Sequence, residues 1–251
     1  MLDIVLKKFH KKINGIIQAG AHIGQEVDIF LKYSDSNIYL FEPNKEAFEI
    51  LKKYAIEKNI FIYNFGLGNK NEKKTLFVSD NKNGVSSSVL EPKLHLKYFP
   101  EYKFSKKIDI DIKKFSDLKG IVGNFLMMDV QGYELEVLKG FEQKLNNIDY
   151  IFTEVSMVEL YDGGVNINDL DDFLENKNFI RSHTSLVSNI PTGDAFYINT
   201  NLIGNQKYFF YKLKSRITKS SIFRMLNSFR DPKKLSYHLK NKLKNILNLE
   251  S

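Results

Sequence analysis

The 251-residue chain contains no cysteine and no tryptophan, and only 5 prolines. Without cysteine it cannot form a disulfide, use a thiolate nucleophile or build a cysteine-based zinc site. It also lacks any run of about 18 apolar residues, which excludes a membrane-spanning helix. Residues 1–12 lack the apolar run and the small-residue cleavage site of a secretory signal. Together these absences predict a cytoplasmic protein.

Positive charge is concentrated at one end of the chain. Residues 205–251 hold 12 Lys and Arg and 2 acidic residues, a net charge of +10, whereas residues 1–204 carry −3. The pI of about 9.2 therefore reflects a basic appendage and not a basic domain. This distribution argues against nucleic acid as a partner. The appendage is either a solvated helical face or a peripheral contact with an anionic inner membrane surface.

Short apolar segments alternate with amphipathic segments across most of the chain. Strands are predicted at residues 13–19, 37–41, 60–64, 123–128, 148–155, 179–183 and 195–199, and helices at 24–33, 44–57, 133–139 and 168–176. Such alternation predicts an α/β domain with a doubly wound, mostly parallel sheet. A further amphipathic helix over residues 1–12 is expected to pack on this domain, with contact to a membrane as the alternative.

One segment interrupts the alternation. Residues 75–79 and 107–112 alternate in period two, which predicts an antiparallel pair of strands. The residues between them are polar and aromatic, and a long insertion in a compact α/β domain usually forms a lid or a binding loop. The predicted organisation has three parts: residues 1–12, a domain at 13–204 with a lid insertion at about 75–112, and a helical appendage at 205–251.

A glycine turn follows the first predicted strand, and an acid ends the second. Gly20 and Gly24 flank His22, and glycine exposes backbone amides at the start of a helix. The dinucleotide fingerprint is absent, because His22 stands where its second glycine belongs. Glu42 lies about 20 residues after the turn, where a carboxylate binds the two hydroxyls of a ribose. The pair predicts a nucleoside site, with an exposed helix-capping role as the alternative for Glu42.

Six segments carry a resemblance in chain order. They are Ile17–Glu26, Phe41–Asn44, Asn64–Gly68, Ser86–Ser88, Asp129–Gly140 and Phe152–Val155. The most specific is the D-V-x-G-x-E-x-x-V-L-x-G run of Asp129–Gly140. Over roughly residues 13–200 the chain resembles the FkbM-type S-adenosylmethionine-dependent methyltransferases. The resemblance implies a class I methyltransferase (Rossmann-like) sheet of seven strands with the last one antiparallel, and S-adenosyl-L-methionine as the cofactor.

The resemblance also implies which residues contact the cofactor. They follow the first four strands or lie in the insertion: Gln18, Gly20, His22, Gly24, Glu42, Pro43, Leu67, Gly68, Ser87, Asp129 and Val130. Gln18 departs from the pattern, because many methyltransferases have Asp there. A glutamine brings no charge to the cofactor's ammonium group, so we expect weaker binding or a rearranged contact.

Methyl transfer to an alkyl hydroxyl requires a base, because the oxygen loses its proton as the new bond forms. Asp129 and Glu154 end the fourth and fifth strands and are candidates, as is His95 in the insertion. Substrate contacts are expected from four further residues: Gln131, Tyr133, Ser88 and Asp194. Asp129 and Glu154 could instead be solvated acids or hold a divalent metal; no third ligand is evident, and no metal ligand is assigned.

These features favour an O-methyltransferase acting on a hydroxyl. That the hydroxyl belongs to a sugar of a surface polysaccharide, such as a capsule or a lipopolysaccharide, is implied by the resemblance alone. Two alternatives stay open: an RNA methyltransferase that uses the basic appendage, and a non-catalytic scaffold with the methyltransferase fold. The negative domain charge argues against the first, and the glycine turn, Glu42 and Asp129 argue against the second.

Overall fold

The computed structural model describes residues 1–81, 84–187 and 190–215. The α-helices are α1 (Leu2–Phe9), α2 (Val27–Tyr33), α3 (Lys45–Leu51), α4 (His95–Tyr98), α5 (Glu134–Phe141) and α6 (Ile167–Glu175). The strands are β1 (Ile16–Ala19), β2 (Ile38–Phe41), β3 (Ile60–Tyr63), β4 (Gly66–Leu67), β5 (Glu72–Val78), β6 (Lys106–Lys113), β7 (Phe125–Met128), β8 (Tyr150–Ser156), β9 (Phe179–Leu186) and β10 (Thr192–Asn199).

Seven strands form the main sheet, in the order β3-β2-β1-β7-β8-β10-β9. Strands β3, β2, β1, β7 and β8 run parallel to one another, and β10 is antiparallel to both β8 and β9. Every residue of β1, β2 and β7 is buried, as expected for strands covered on both faces. The predicted doubly wound sheet with an antiparallel last strand is confirmed.

The insertion begins and ends in a second, smaller sheet of order β4-β6-β5. Strands β5 and β6 pair antiparallel with Thr75 opposite Asp109, which confirms the predicted pair, although both strands are longer than expected. Their alternating pattern buries one apolar face, made of Leu76, Val78, Ile110 and Ile112. The two ends of the segment predicted as a lid therefore form a packed sheet with its own apolar cluster.

The helices start and pack largely as their sequences indicate. Leu2, Val5 and Leu6 are buried on one face of α1, and the ring of Phe9 lies 5.0 Å from that of Tyr150. The first helix therefore packs on the domain. Asn44 caps α3 by accepting a hydrogen bond from the amide of Glu46, but the helix ends at Leu51 and continues as a 3-10 turn.

The chain divides into two compact units, Met1–Gly204 and Asn205–Ser251. In the second unit, residues 205–215 are helical, and the rest of the predicted appendage lies outside the described residues. Within the described part of the chain, none of the helices has the length and apolar character needed to cross a membrane.

Candidate active site

A cleft lies at the carboxyl ends of β1, β2 and β7. Strand β1 pairs with β2 on one side and with β7 on the other, so the strand order reverses at this point. Ligands bind at such a position in open α/β sheets because the connecting loops diverge there. Residues 84–89 of the insertion and the side chains of Leu76 and Ile112 from the second sheet complete the walls.

The glycine turn after β1 brings two strand ends together. Gly20 has a φ of +79°, and a Cβ atom there would lie 1.9 Å from the carbonyl oxygen of Asp129. No side chain fits in that space, so this glycine allows the ends of β1 and β7 to approach. Gly24 is small for another reason, since its Cβ would lie 2.5 Å from the ring of Tyr54. The prediction that Gly24 contacts the cofactor is corrected, because it packs under Tyr54 and does not line the cleft.

Glu42 is buried at the end of β2 with its carboxylate held by the backbone. Its two oxygens accept hydrogen bonds from the amides of His22 and Asn44, each at 2.7 Å. Burial raises the pKa of Glu42 to about 7. The alternative of an exposed cap is wrong, because Glu42 is 6% exposed and Asn44 caps α3. Each carboxylate oxygen retains a lone pair for a further donor in the cleft.

Gln18 lies buried in β1 and contacts an acid that sequence analysis did not assign to the site. Its Nε2 donates to Oε2 of Glu26 at 2.9 Å, and its buried Oε1 has no hydrogen-bond partner in the part of the chain that the structure describes. Glu26 lines the cleft, whereas Gln18 does not. Burial, with a smaller contribution from the charge of Asp129, raises the pKa of Glu26. Only the fold reveals this pair, because strand and helix start are brought together by the turn between them.

Gln131 connects the two predicted catalytic acids. Its Nε2 donates to Asp129 at 2.7 Å and to Glu154 at 2.6 Å, and its Oε1 accepts from the hydroxyl of Tyr161 at 2.8 Å. Burial and the nearby charge of Asp129 raise the pKa of Glu154 well above its usual range. Asp129 lines the cleft, while Glu154 lines a smaller adjoining cavity together with Gln131.

Asp194 stands directly opposite Glu154 in the register of β10 and β8. Burial raises the pKa of Asp194, which adds a third acid to this side of the sheet. It does not line the cleft and lies beside Glu154 on the neighbouring strand, so the structure does not support the predicted substrate contact. Among the described residues, no group of three or more His, Asp or Glu side chains is placed to hold a metal ion.

The loop after β7 is fixed by Glu134, a second acid that sequence analysis left unassigned. Its Oε1 accepts from the amides of Val130 and Gly132, at 3.3 and 3.2 Å, and burial raises its pKa to about 7. Glu134 is the acid of the D-V-x-G-x-E run that begins at Asp129, so this run could have identified it. Val130 lines the cleft beside this loop.

The last glycine of the same run explains the position of Gly68. A Cβ atom on Gly140 of α5 would lie 1.9 Å from the carbonyl oxygen of Gly68. Gly68 itself packs against Ile112 and Tyr133 and does not line the cleft, so its predicted contact with the cofactor is corrected to a packing role. Leu67, Pro43 and Tyr133 do line the cleft, and burial raises the pKa of Tyr133 to about 12.

The serines of the insertion lie in the cleft wall with their hydroxyls bound to protein atoms. Ser88 donates to the carbonyl oxygen of Gln131 at 2.8 Å and accepts from the amide of Leu90. Ser87 donates to the carbonyl oxygen of Gly84 and accepts from the amide of Ser79. They hold the insertion in place beside the loop that follows β7.

His95 lies away from the cleft, within a cluster of aromatic rings. Four rings surround it with centroids 4.8 to 5.5 Å away, those of Phe99, Tyr102, Phe104 and Tyr161. The side chain is 2% exposed, and burial lowers its pKa. The prediction that His95 acts as a base or touches the substrate is corrected, because a neutral ring in this packing cannot reach the cleft.

Comparison with known proteins identifies the family of the chain. The model of the methyltransferase FkbM domain matches residues 18–181. The chain belongs to this family. The matched region begins at Gln18 in β1 and ends at Arg181 in β9, so it contains the residues that line the cleft and the whole second sheet, but not β10 of the main sheet.

Two curated relatives of this FkbM methyltransferase have low sequence identity to it but align over most of their length. The 2-O-methyltransferase NoeI of Sinorhizobium fredii is 24% identical over 201 residues, 74% of this chain and 80% of that protein. Methyltransferase 1 of Beauveria bassiana is 28% identical over 181 residues, 65% of this chain and 71% of that protein. The crystal structure of Methyltransferase FkbM from Methylobacillus flagellatus superposes with a TM-score of 0.50 at 14% identity. It covers 74% of this chain and 43% of that one, a likeness of fold.

The chain is thus an S-adenosylmethionine-dependent methyltransferase of the FkbM family. Its cleft fits this cofactor in two observed respects. Glu42 presents a buried carboxylate with lone pairs to spare, which suits the ribose hydroxyls. The described residues that line the cleft include three carboxylates and neither Lys nor Arg, which suits a ligand with a positively charged sulfur.

Proposed function

We propose that this methyltransferase transfers the methyl group to a hydroxyl oxygen, and that the hydroxyl belongs to a sugar. The observation that carries the proposal is the hydrogen-bonded row Asp129–Gln131–Glu154 at the edge of the cleft. A hydroxyl that attacks a sulfonium methyl releases a proton, and a carboxylate at hydrogen-bond distance can take it. The naming of the relative NoeI as a 2-O-methyltransferase supports transfer to oxygen.

Within this row we assign the base to Asp129. It faces the cleft, whereas Glu154 lies behind Gln131 in the adjoining cavity. The raised pKa of Glu154 makes it the acid that retains a proton, because two neighbouring carboxylates do not both ionise readily. Glu154 then positions Gln131, and Gln131 orients the Asp129 carboxylate for the incoming hydroxyl.

The cofactor supplies a methyl group already activated on sulfur, so the protein must supply orientation. In our proposal Glu42 accepts from the ribose hydroxyls, and Gly20 and His22 line the methionine end. Leu67 and Pro43 provide apolar surface for the adenine. Tyr133 and Gln131 also line the cleft, and we assign them to contact with the acceptor.

We further propose that the acceptor is part of a surface polysaccharide, a capsule or a lipopolysaccharide, and that the enzyme works in the cytoplasm at the inner membrane face. The +10 charge of residues 205–251 supports contact with an anionic surface. In the described helix at residues 205–215, Phe209 and Phe210 are 71% and 61% exposed. Sedimentation with anionic liposomes tests this, and equal sedimentation of the full chain and a 1–204 truncation would refute it.

The transfer itself is tested with a panel of acceptors that contains sugars, nucleotide-linked sugars, polysaccharide and RNA. We expect S-adenosylhomocysteine formation only with the carbohydrate acceptors, and a new methoxy signal in the spectrum of the product. Asp129→Asn should lower turnover by about a hundredfold or more while the melting temperature is kept. The matched control is Asp111→Asn, an exposed acid on β6. Methylation of RNA or of nitrogen would refute the proposal, and full activity of Asp129→Asn would remove Asp129 from the mechanism.

A further inference from the structure

Strand β1 carries a neutral amide where a charged group is expected. Gln18 cannot balance the cofactor's α-ammonium, and the cleft must obtain that negative charge from another residue. We propose that Glu26 supplies it, and that the carboxylate function has moved from position 18 to position 26 in this chain. The proposal concerns binding of the cofactor and goes beyond the choice of acceptor.

Glu26 has the geometry for this role. It follows the glycine turn and lines the cleft together with Gly20 and His22. The amide of Gln18 fixes one of its oxygens, Oε2, at 2.9 Å. The carboxylate is thereby oriented on the buried side, and its other oxygen is available to a ligand. Gln18 thus acts as a positioning residue for an acid eight residues further along the chain.

The three carboxylates that line the cleft differ in how far they are already engaged. Both oxygens of Glu42 accept from backbone amides, and Asp129 accepts from the side chain of Gln131. Glu26 has one side-chain donor, Gln18, so Asp129 and Glu26 both retain acceptor capacity. Asp129 is the proposed base, which leaves Glu26 for the ammonium group. An ammonium group brings three hydrogen-bond donors and a full positive charge. That charge stabilises the ionised form of Glu26, which burial disfavours.

The burial of Gln18 leaves Glu26 as the member of this pair that a ligand can reach. Gln18 is fully buried and does not line the cleft, whereas Glu26 does. The Oε1 of Gln18 has no hydrogen-bond partner among the described residues, and its Nε2 donates to Glu26. Gln18 therefore acts on a bound cofactor through the Glu26 carboxylate.

The test compares two ligands by calorimetric titration. One is S-adenosylhomocysteine, and the other is its analogue in which a hydrogen replaces the α-amino group. With the wild-type chain we expect S-adenosylhomocysteine to bind more tightly. Glu26→Gln should weaken its binding by about tenfold or more, the loss typical of one charge-assisted hydrogen bond, and should change binding of the analogue by less than about threefold. Glu49→Gln, an exposed acid paired with Lys52, is the matched control and should match the wild type.

A double variant that moves the carboxylate from one position to the other completes the experiment. Gln18→Asp combined with Glu26→Gln returns a carboxylate to position 18 and should restore part of the preference for S-adenosylhomocysteine. Equal weakening of both ligands by Glu26→Gln, or no weakening, would overturn the assignment of Glu26. A folded double variant without any recovered preference would overturn the exchange between the two positions. Absence of wild-type binding to both ligands would instead overturn the cofactor itself, a result independent of the acceptor assay.

Discussion

A methyl group added to Gly20 should destabilise the domain far more than one added to Gly120. Both glycines have left-handed backbone, with φ of +79° and +75°. For any other L-residue that conformation costs roughly 1–2 kcal/mol, and alanine returns up to about 1 kcal/mol by restricting the unfolded chain. Gly120→Ala has open space around its Cβ and meets only this net cost, about 1 kcal/mol or less.

Gly20→Ala carries a second cost from overlap. Its Cβ would lie 1.9 Å from the carbonyl oxygen and 2.9 Å from the carbonyl carbon of Asp129, where ordinary contacts begin near 3.4 Å. Relief requires the ends of β1 and β7 to separate, although the amide of Asp129 donates to the carbonyl of Ala19 at 3.0 Å. Overpacking of this kind costs about 1–3 kcal/mol, so the total with the net conformational cost is roughly 1–4 kcal/mol.

Thermal unfolding followed by circular dichroism measures the difference between these two variants. At about 2–4 °C per kcal/mol for a chain of this size, Gly120→Ala should lower the melting temperature by about 2–4 °C or less. Gly20→Ala should lower it by roughly 2–16 °C. It should also weaken the binding of S-adenosylhomocysteine, because Gly20 lines the cleft. Equal melting temperatures for the two variants would refute the reasoning that Gly20 is required by the close approach of two strands.

Three further outcomes are expected. Glu42→Ala should weaken the binding of S-adenosylhomocysteine by about 1–3 kcal/mol, measured by calorimetry, because charge-assisted hydrogen bonds are lost. An unchanged dissociation constant would contradict the ribose assignment. The pKa of Glu134 is about 7 in the fold against about 4.5 unfolded, so the folded chain binds the extra proton and stability falls as pH rises between these values. Glu134→Gln should therefore reduce the fall in melting temperature from pH 5 to 7, whereas Glu49→Gln should keep the wild-type slope. Asp171→Ala leaves Arg181 buried without its bidentate partner, so denaturant unfolding should show a loss of about 3–5 kcal/mol, and a loss below 1 kcal/mol would contradict the burial of this pair.

The sequence predicts those parts of the fold and site that depend on order along the chain. Strand and helix periodicities place the sheet, and in a parallel sheet the strand ends meet at one edge. Gly20, Glu42 and Asp129 follow three such strands, so the cleft could be located before any coordinates were known. The D-V-x-G-x-E run also predicted that the loop after β7 belongs to the site.

Contacts between distant segments could not be predicted in the same way. His95 sits in a polar and aromatic stretch that reads as a binding loop, yet ring packing removes it from the cleft. Gln131 was expected to touch the substrate, and only the fold shows that it also connects Asp129 with Glu154. Glu26 was overlooked because its partner Gln18 lies on another element, and a pattern within one element carries no information about such pairs.

Gln131 connects the insertion to the two acids, Asp129 and Glu154. The hydroxyl of Ser88 in the insertion donates to the backbone of Gln131, and the side chain of Gln131 holds Asp129 and Glu154. Tyr161 adds a second tie, from its hydroxyl to the carbonyl of Ser86 and to the Gln131 amide. A change in the position of residues 86–88 is therefore expected to shift Gln131, and with it the alignment of Asp129 and Glu154. The insertion and the two acids form one hydrogen-bonded unit, so a substitution in the insertion is expected to affect acids that it does not touch.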